Sequence, residues 1–417
     1  MTTLRTPVEA APDLPEPFGA HVRSYFQKVR GGEMGALPAV LGLLVLCTVF
    51  SILRPAFLTA GNFANLLPQG AAVTVIAMGL VFVLLLGEID LSAGFTSGVC
   101  AAVLAIVLTD YGLPWYAAIA AAILTGSVVG LFLGTLVAKI GIPSFVVTLA
   151  AFLAFQGVVL ELISGGTIIS ITDPVILAIG NKNLPPSIGW LCYGVGIAGY
   201  AATQVVRKNR RRSRGLTSDP GSLVAIRVVS LAAVTGVAVY VLNQERSRNI
   251  LITSLKGVPI VVPIVVVLLV LLTFVLSRTG YGLHIYAVGG NREAARRAGI
   301  NTDRIRISAF VICSSLAAVG GIIAASRANS VDANTGGSNV LLYAVGAAVI
   351  GGTSLFGGKG RIIDAVLGGA VVAVIENGMG LMGYTSGVKF IVTGGVLLLA
   401  AGADALSRKR AAAAGLR

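Results

Sequence analysis

The stretch PIVVVLLVLLTFVL, residues 263 to 276, has a single polar side chain, Thr273, in fourteen positions. Its apolar residues fall on every side. A lipid-facing strand would alternate at period two, so this segment reads as a helix. Extended outward to residues 258–277 it has the length needed to cross a hydrocarbon core of about 30 Å. Polar chain flanks it on both sides: NQERSRNILITSLKG at 243–257 before it, and the segment Arg278 to Arg306 after it. The latter contains AVGGNREAARRAGI, residues 287 to 300, where Arg292, Glu293, Arg296 and Arg297 fall within six residues. Such a charge density between two apolar runs belongs outside the lipid.

The same pattern recurs along the 417 residues, which are 56% hydrophobic and 12% charged, with a mean hydropathy of +0.90. Twelve spans are predicted, near 35–53, 69–87, 92–109, 114–138, 144–163, 188–206, 222–242, 258–277, 307–326, 341–356, 362–379 and 388–404. The expected fold is therefore an all-α polytopic membrane protein, with about 12 transmembrane or re-entrant helices in one bundle. A net charge of +14 would point to nucleic acid in a soluble chain, but here it fits the positive-inside bias. With the amino terminus inside, 24 of the 31 Lys and Arg lie on the inner side. The outer side keeps Arg54, Lys182, Arg246, Arg248, Lys256, Arg327 and Lys389. Both termini are thus expected in the cytoplasm, and no nucleic-acid partner is expected.

Residues 1–34, with Pro7, Pro12, Pro15 and Pro17, read as a disordered cytoplasmic tail. A transmembrane domain follows at 35–404, and 405–417 read as a second cytoplasmic tail. The first apolar run starts too far in, and is too long, for a cleaved signal peptide. Cys47, Cys100, Cys192 and Cys313 all fall within predicted spans, which argues against a disulfide framework, and no metal-ligand spacing is present. The run VVRKNRRRSRG at 205–215 places six Lys and Arg in one inner loop between the helix pair at 188–242. It reads as a topology anchor, favoured over an RNA- or lipid-binding arm because no aromatic residues interleave it.

Many of the 53 glycines lie inside spans, where small residues let helices approach closely. GAAVIGGTSLFGGKGR at 346–361 is so rich in glycine that a broken or re-entrant helix lining a cavity is the better reading. MGLVFVLLLGEIDLSAG at 78–94 and VGAAVIGGTSLFGGKGR at 345–361 share a plan, an apolar run closing on a glycine-rich polar turn before another helix. This points to two halves of related design.

A nucleotide-binding phosphate loop is not found. The nearest approach, TSLFGGKGR at 353–361, lacks a glycine five residues before Gly358 and has Gly360 in place of the magnesium-holding hydroxyl. ATP and magnesium, if used, belong to another chain, and no cofactor is expected here. The only histidines, His21 and His284, sit in predicted cytoplasmic segments without an evident partner, so no catalytic residue is expected. Ionisable and polar groups in or beside spans are the default candidates for a pathway. These are Glu88, Asp90 and Ser92 in GEIDLSAG, Thr148 and Gln156, Thr353 and Ser354, and Asn377, with Glu161 and Glu376 near span ends. For Asp90, capping of a helix beginning at Leu91, assisted by Ser92, ranks above direct substrate contact.

Within AVGGNREAARRAGI, Gly289 and Gly290 break the chain, Asn291 caps, and Glu293 lies in the first turn, where a negative charge suits the dipole. Gly299 stops the helix, and Asn301, Thr302 and Asp303 can cap the next span. The result is about two turns, with charges on one side and Ala294, Ala295 and Ala298 on the other. Three methyl groups anchor poorly in lipid, and so short a helix is barely stable alone. A cytoplasmic protein partner is the expected ligand of this segment.

GGNREAARRAGI resembles the cytoplasmic coupling segment of bacterial sugar ABC-transporter permeases of the ribose, xylose and arabinose group. Glu293, Ala294, Ala295 and Gly299 match the E-A-A-x-x-x-G core of the wider importer coupling loop, whereas Ala309 stands where an isoleucine is expected. FLTAGNFANLL at 57–67, GEIDLSAG at 87–94, AAVIGGTSLFGGKG at 347–360 and ENGMGLMG at 376–383 agree in order. The helix pair at 188–242 is similar to that of the longer, xylose-type permeases. The resemblance implies ATPase coupling through Asn291, Glu293, Ala294, Ala295, Arg296, Arg297 and Gly299 within the cytoplasmic segment 279–306. It also implies a second copy of the chain, a cytoplasmic ABC ATPase, an extracytoplasmic sugar-binding protein and surrounding membrane lipid in the bacterial inner membrane. The implied function is import of a monosaccharide, a pentose such as xylose. The competing readings are an ion-coupled secondary transporter using Asp90 or Glu161, a membrane-embedded transferase, and a purely structural subunit.

Overall fold

The computed structural model describes residues 35–163, 168–215, 221–247 and 254–413. The tail expected at 1–34 lies outside them. Fifteen α-helices run in the order α1 (Leu37–Leu53), α2 (Ala60–Leu85), α3 (Ala93–Thr109), α4 (Trp115–Thr135), α5 (Ser144–Leu162), α6 (Pro174–Asn181), α7 (Pro186–Ser213) and α8 (Gly221–Leu242), followed by α9 (Val261–Arg278), α10 (Gly280–Gly290), α11 (Arg292–Arg297), α12 (Thr302–Ala328), α13 (Ser338–Gly351), α14 (Ile362–Leu381) and α15 (Ser386–Ala413). Among the described residues seven helices are long and apolar enough to cross a membrane. Each of the twelve predicted spans corresponds to one helix, and α6, α10 and α11 are additional short ones.

The core is built on α2, α12 and α14, most of whose residues are buried, while few residues of α8 and α9 are. The first three are packed on several sides by other helices. The outer two present their apolar faces to lipid, which is no worse a solvent for them than a protein core. Helix α4 lies against α12 through Gly126, Gly130 and Gly134, spaced at four residues. A Cβ on Gly130 would sit 2.5 Å from the Phe310 carbonyl oxygen and 2.6 Å from Val311 Cα. The absence of side chains there is what lets the two backbones approach.

Several boundaries move from their predicted places for physical reasons. Helix α2 starts at Ala60 rather than near 69, because the Thr59 hydroxyl accepts from the Asn62 amide at 3.3 Å and the helix carries Pro68 in its interior. Proline costs one hydrogen bond but is tolerated where neighbouring helices enclose it. Helix α7 continues to Ser213, so the basic run is the last turns of a helix and not a loop. Lys and Arg are good helix formers, and their charge opposes the negative end of the helix dipole. Helix α15 likewise runs through Ala413, beyond the predicted boundary at 404.

Helix α13 has 14 residues, about 21 Å at 1.5 Å per residue, short of a hydrocarbon core of about 30 Å. It ends at Gly352, with φ +117°, and 352–361 is non-helical, as expected for a broken helix. At its other end the Thr335 carbonyl lies over Gly98, where a Cβ would overlap it. The chain between α12 and α13 therefore dips onto the first turns of α3. Two pairs of two-residue strands, Ile169–Ser170 with Ser330–Val331 and Asn183–Leu184 with Val258–Pro259, tie connections together antiparallel. All four cysteines are free.

Candidate coupling site

The six-residue helix α11 is fixed at both ends by its own sequence. Asn291 Oδ1 accepts from the Ala294 amide at 2.9 Å. At the other end the Gly299 amide donates to the Arg296 carbonyl and the Ile300 amide to the Ala295 carbonyl. This 6→1 and 5→2 pair is a Schellman closure, and it places Gly299 in the left-handed region at φ +85°. Asn301 then caps α12, accepting from the Arg304 amide at 3.0 Å. The capping pattern expected from the sequence is present, with Asn301 rather than Thr302 or Asp303 as the cap.

The alanine face does not stay whole. Ala295 is buried in the core, while Ala294 and Ala298 are exposed. A partner therefore meets two of the three methyl groups expected to face it, and the third holds α11 to its own chain. Around them Glu293 pairs with Arg296 at 3.2 Å and Arg292 lies 3.9 Å from Asp303. All four side chains are about half or more in solvent, where such pairs contribute less than about 1 kcal/mol. The charges give the helix an outward face; the caps and Ala295 give it its place.

Behind α11 the three glycine-rich segments meet. Gly289, at the end of α10, presses on the last turn of α2 so closely that a Cβ would overlap the Leu85 carbonyl oxygen. That oxygen accepts from the Gly358 amide at 2.8 Å, which joins 352–361 to the end of α2. Tyr286 on α10 donates its hydroxyl to the Gly360 carbonyl at 2.7 Å. Burial, with Asp364 adding to it, pushes the Tyr286 phenol up. One residue into the next turn, Glu88 accepts from Arg306 of α12, with Oε1 2.6 Å from Nη2 and 2.8 Å from Nε. Both side chains are almost wholly buried.

The turn 86–92 is stitched from within. Asp90 is fully buried, and its Oδ1 accepts from the Ser92 amide at 2.9 Å and the Ser92 hydroxyl at 2.6 Å. The helix begins at Ala93, two residues after the expected Leu91, because Asp90 closes a turn on Ser92 before the helix starts. Thr148 of α5 donates to the Ile89 carbonyl at 3.1 Å and the Ser144 carbonyl at 2.8 Å, and the Ile89 amide donates to the Ser144 hydroxyl. In the facing turn the Ser354 amide donates to the Lys359 carbonyl at 2.8 Å, the Phe356 amide donates to the Ser354 hydroxyl, and Thr353 is buried. Glu88, Asp90, Ser92, Thr148, Thr353 and Ser354 thus gather behind α11.

The remaining pathway candidates lie elsewhere. Asn377, toward the far end of α14, exchanges amide hydrogen bonds with Asn62 at 2.8 and 2.9 Å and donates to Gln69 at 3.1 Å. Gln156 is exposed on α5, as is Glu161. Glu376 accepts from Tyr343 at 2.7 Å. Sequence reasoning missed Arg306, Ser144 and Tyr286. Arg306 counted only as an inside charge, and no local signal links it to a carboxylate 218 positions away.

The bundle, its short broken helix and an exposed capped helix that follows directly on a helix end packed against two glycine-rich turns define a multi-pass membrane permease component rather than an enzyme. Residues 62–401 match the family described as branched-chain amino acid transport system / permease component, and the chain belongs to that family. It is 36% identical over 357 residues to the xylose transport system permease protein XylH of Escherichia coli (strain K12), covering 85% of this chain and 87% of that one. The Haemophilus influenzae xylose transport system permease protein is 32% identical over 384 residues, 92% and 99% of the two chains. The ribose import permease protein RbsC of Escherichia coli (strain K12) is 30% identical over 382 residues, 91% and 95% of the two chains. No solved structure matches the chain.

Proposed function

We propose that this chain is the membrane-spanning subunit of a bacterial inner-membrane ABC importer that brings a monosaccharide, a pentose such as xylose, into the cell. The similarity to xylose and ribose permeases across most of both chains supports the substrate class. The observation that carries the coupling mechanism is α11, exposed on Glu293, Ala294, Arg296, Arg297 and Ala298 yet tied at its base to two other segments. A cytoplasmic ATPase docks there, a second copy of the chain completes the pathway, and an extracytoplasmic sugar-binding protein delivers the substrate. Positive charge on the α11 side of the bundle supports an inside location for that side and for both termini.

ATP-driven closure of the ATPases moves α11. Its base at Gly289 shares the Leu85 carbonyl with Gly358, so the displacement reaches the turns 86–92 and 352–361 together. Those turns begin α3 and α14, and a shift between two packed arrangements there alternates access. In this reading half-buried Glu88 and the buried residues Asp90, Ser92, Thr148, Thr353 and Ser354 transmit movement through packing and hydrogen bonds, and exposed Gln156 is the polar candidate for the pathway wall.

The test is double charge reversal, Glu293→Arg with Arg297→Glu, in the assembled transporter. Membrane insertion is expected to persist while ATPase co-purification and sugar uptake fall together. Normal association and uptake would overturn the coupling assignment. Uptake that persists without any ATPase and collapses with an ion gradient would establish the secondary-transporter reading instead.

A further inference from the structure

The basic run on α7 has no place in the coupling mechanism, and its geometry differs from that of a loose topology anchor. Because α7 remains helical to Ser213, Arg207, Arg210, Arg211 and Arg214 recur at helical spacing and line one groove. Arg278, the last residue of α9, closes it from a second helix. The groove has a volume of about 610 Å³, and Ala202 and Val206, both exposed, also line it. Five arginines from two helices thus line one groove. Among the described residues none of the five is paired with a carboxylate.

Like charges gathered without a counter-ion repel one another, and the arrangement is favourable only when an anion neutralises them. Guanidinium forks match phosphate oxygens geometrically. The exposed apolar residues beside the groove say which kind of phosphate. Arg278 ends the apolar run of α9, with exposed Phe274 one turn above it and exposed Val270 and Val267 above that. On α7 exposed Val205 and Val206 immediately precede the basic turns. The anion site therefore opens directly onto the lipid-facing surface, so a ligand can place acyl chains along α7 and α9 while its headgroup sits among the arginines. Free phosphate would use only the polar floor.

We propose that this groove is a binding site for the phosphodiester headgroup of an anionic glycerophospholipid from the leaflet on the α11 side. The site makes α7 and α8, which otherwise bury little against the bundle, part of a lipid-bridged unit with α9. It does not depend on the transport reading, since a lipid can be held whether or not α11 meets an ATPase.

The test uses the full chain in nanodiscs of phosphatidylcholine with a fixed small fraction of phosphatidylglycerol or cardiolipin, and native mass spectrometry after gentle detergent exchange. The wild type is expected to retain phosphatidylglycerol or cardiolipin over phosphatidylcholine. Arg278→Gln, which leaves the charge of α7 untouched, is expected to weaken retention about fivefold, and Arg211→Gln with Arg214→Gln about twenty-fivefold. Arg212→Gln and Lys208→Gln remove charge from the same turns without lining the groove and are expected to leave retention unchanged. If those controls lose lipid as strongly as Arg278→Gln, only diffuse charge is acting and the site is refuted. If inorganic phosphate or glycerol 1-phosphate at millimolar concentration displaces the lipid, the groove is a soluble-phosphate site and the lipid assignment fails. Undiminished lipid in the groove variants, with loss of a co-purifying protein, would make it a protein contact instead.

Discussion

Glu88 in the turn after α2 and Arg306 in α12 form an ion pair at 2.6 Å, nearly excluded from solvent, across 218 positions of chain. The pair locks the turn 86–92 to the helix that follows α11, so any displacement of α11 must act against it. Removing one member of a buried pair strands the other charge, at a cost of about 3–5 kcal/mol. Arg306→Met is therefore expected to lower the melting temperature in detergent far more than Glu88→Gln with Arg306→Met. Equal losses would show that the pair is solvated and has no locking role.

The contact at Gly289 makes a sharper geometric demand. Gly289→Ala is expected to destabilise by about 1–3 kcal/mol, because the new methyl group overlaps the Leu85 carbonyl and the backbone must move. Gly290→Ala, where nothing lies within 4 Å, should be tolerated. Melting curves of the two variants, with ATPase-dependent uptake measured beside them, separate a general helix-end effect from this contact.

The divided alanine face of α11 predicts opposite phenotypes from the same substitution. Ala295→Trp overpacks a buried position and should reduce the yield of folded protein. Ala298→Trp adds bulk on an exposed position, should change stability by less than about 0.5 kcal/mol, and should block ATPase association. Pull-down of the ATPase against folded yield reads both.

At the opposite end, Asn377→Leu deprives Asn62 and Gln69 of their partner. Unpaired amides that are partly buried cost about 1–3 kcal/mol. Asn62→Leu with Asn377→Leu, which removes both members, should recover part of that loss in the melting temperature.

The connection after α8 is set by Glu245, whose carboxylate accepts from the Ser254 hydroxyl at 2.6 Å and the Leu255 amide at 2.8 Å. These bonds, with the Ser247 amide next, hold its pKa down at about 2, from an ordinary 4.5. A carboxyl group depressed in the folded state contributes stability that is full above about pH 4.5 and is lost as pH falls toward about 2. The difference in melting temperature between wild type and Glu245→Gln should accordingly shrink across that window. A difference independent of pH would mean that the charge is not what the loop uses.

What the sequence determined by itself was whatever depends on neighbours a few residues apart. Residues 263 to 276 could be nothing but a helix in lipid, and the same criterion found a helix at each of the twelve predicted positions, seven of them long and apolar enough to span. The caps at Asn291, Asn301 and Gly299 were legible because a cap is a local hydrogen bond. Tertiary structure decided the rest. It buried Ala295 but not Ala294 or Ala298, paired Glu88 with Arg306, set Gly289 against Leu85, and drew Arg278 beside four arginines of another helix. Each of these depends on which helix faces which and at what height. In a chain whose helices are apolar all round, hydrophobic periodicity carries no record of facing. Only the packed bundle fixes it.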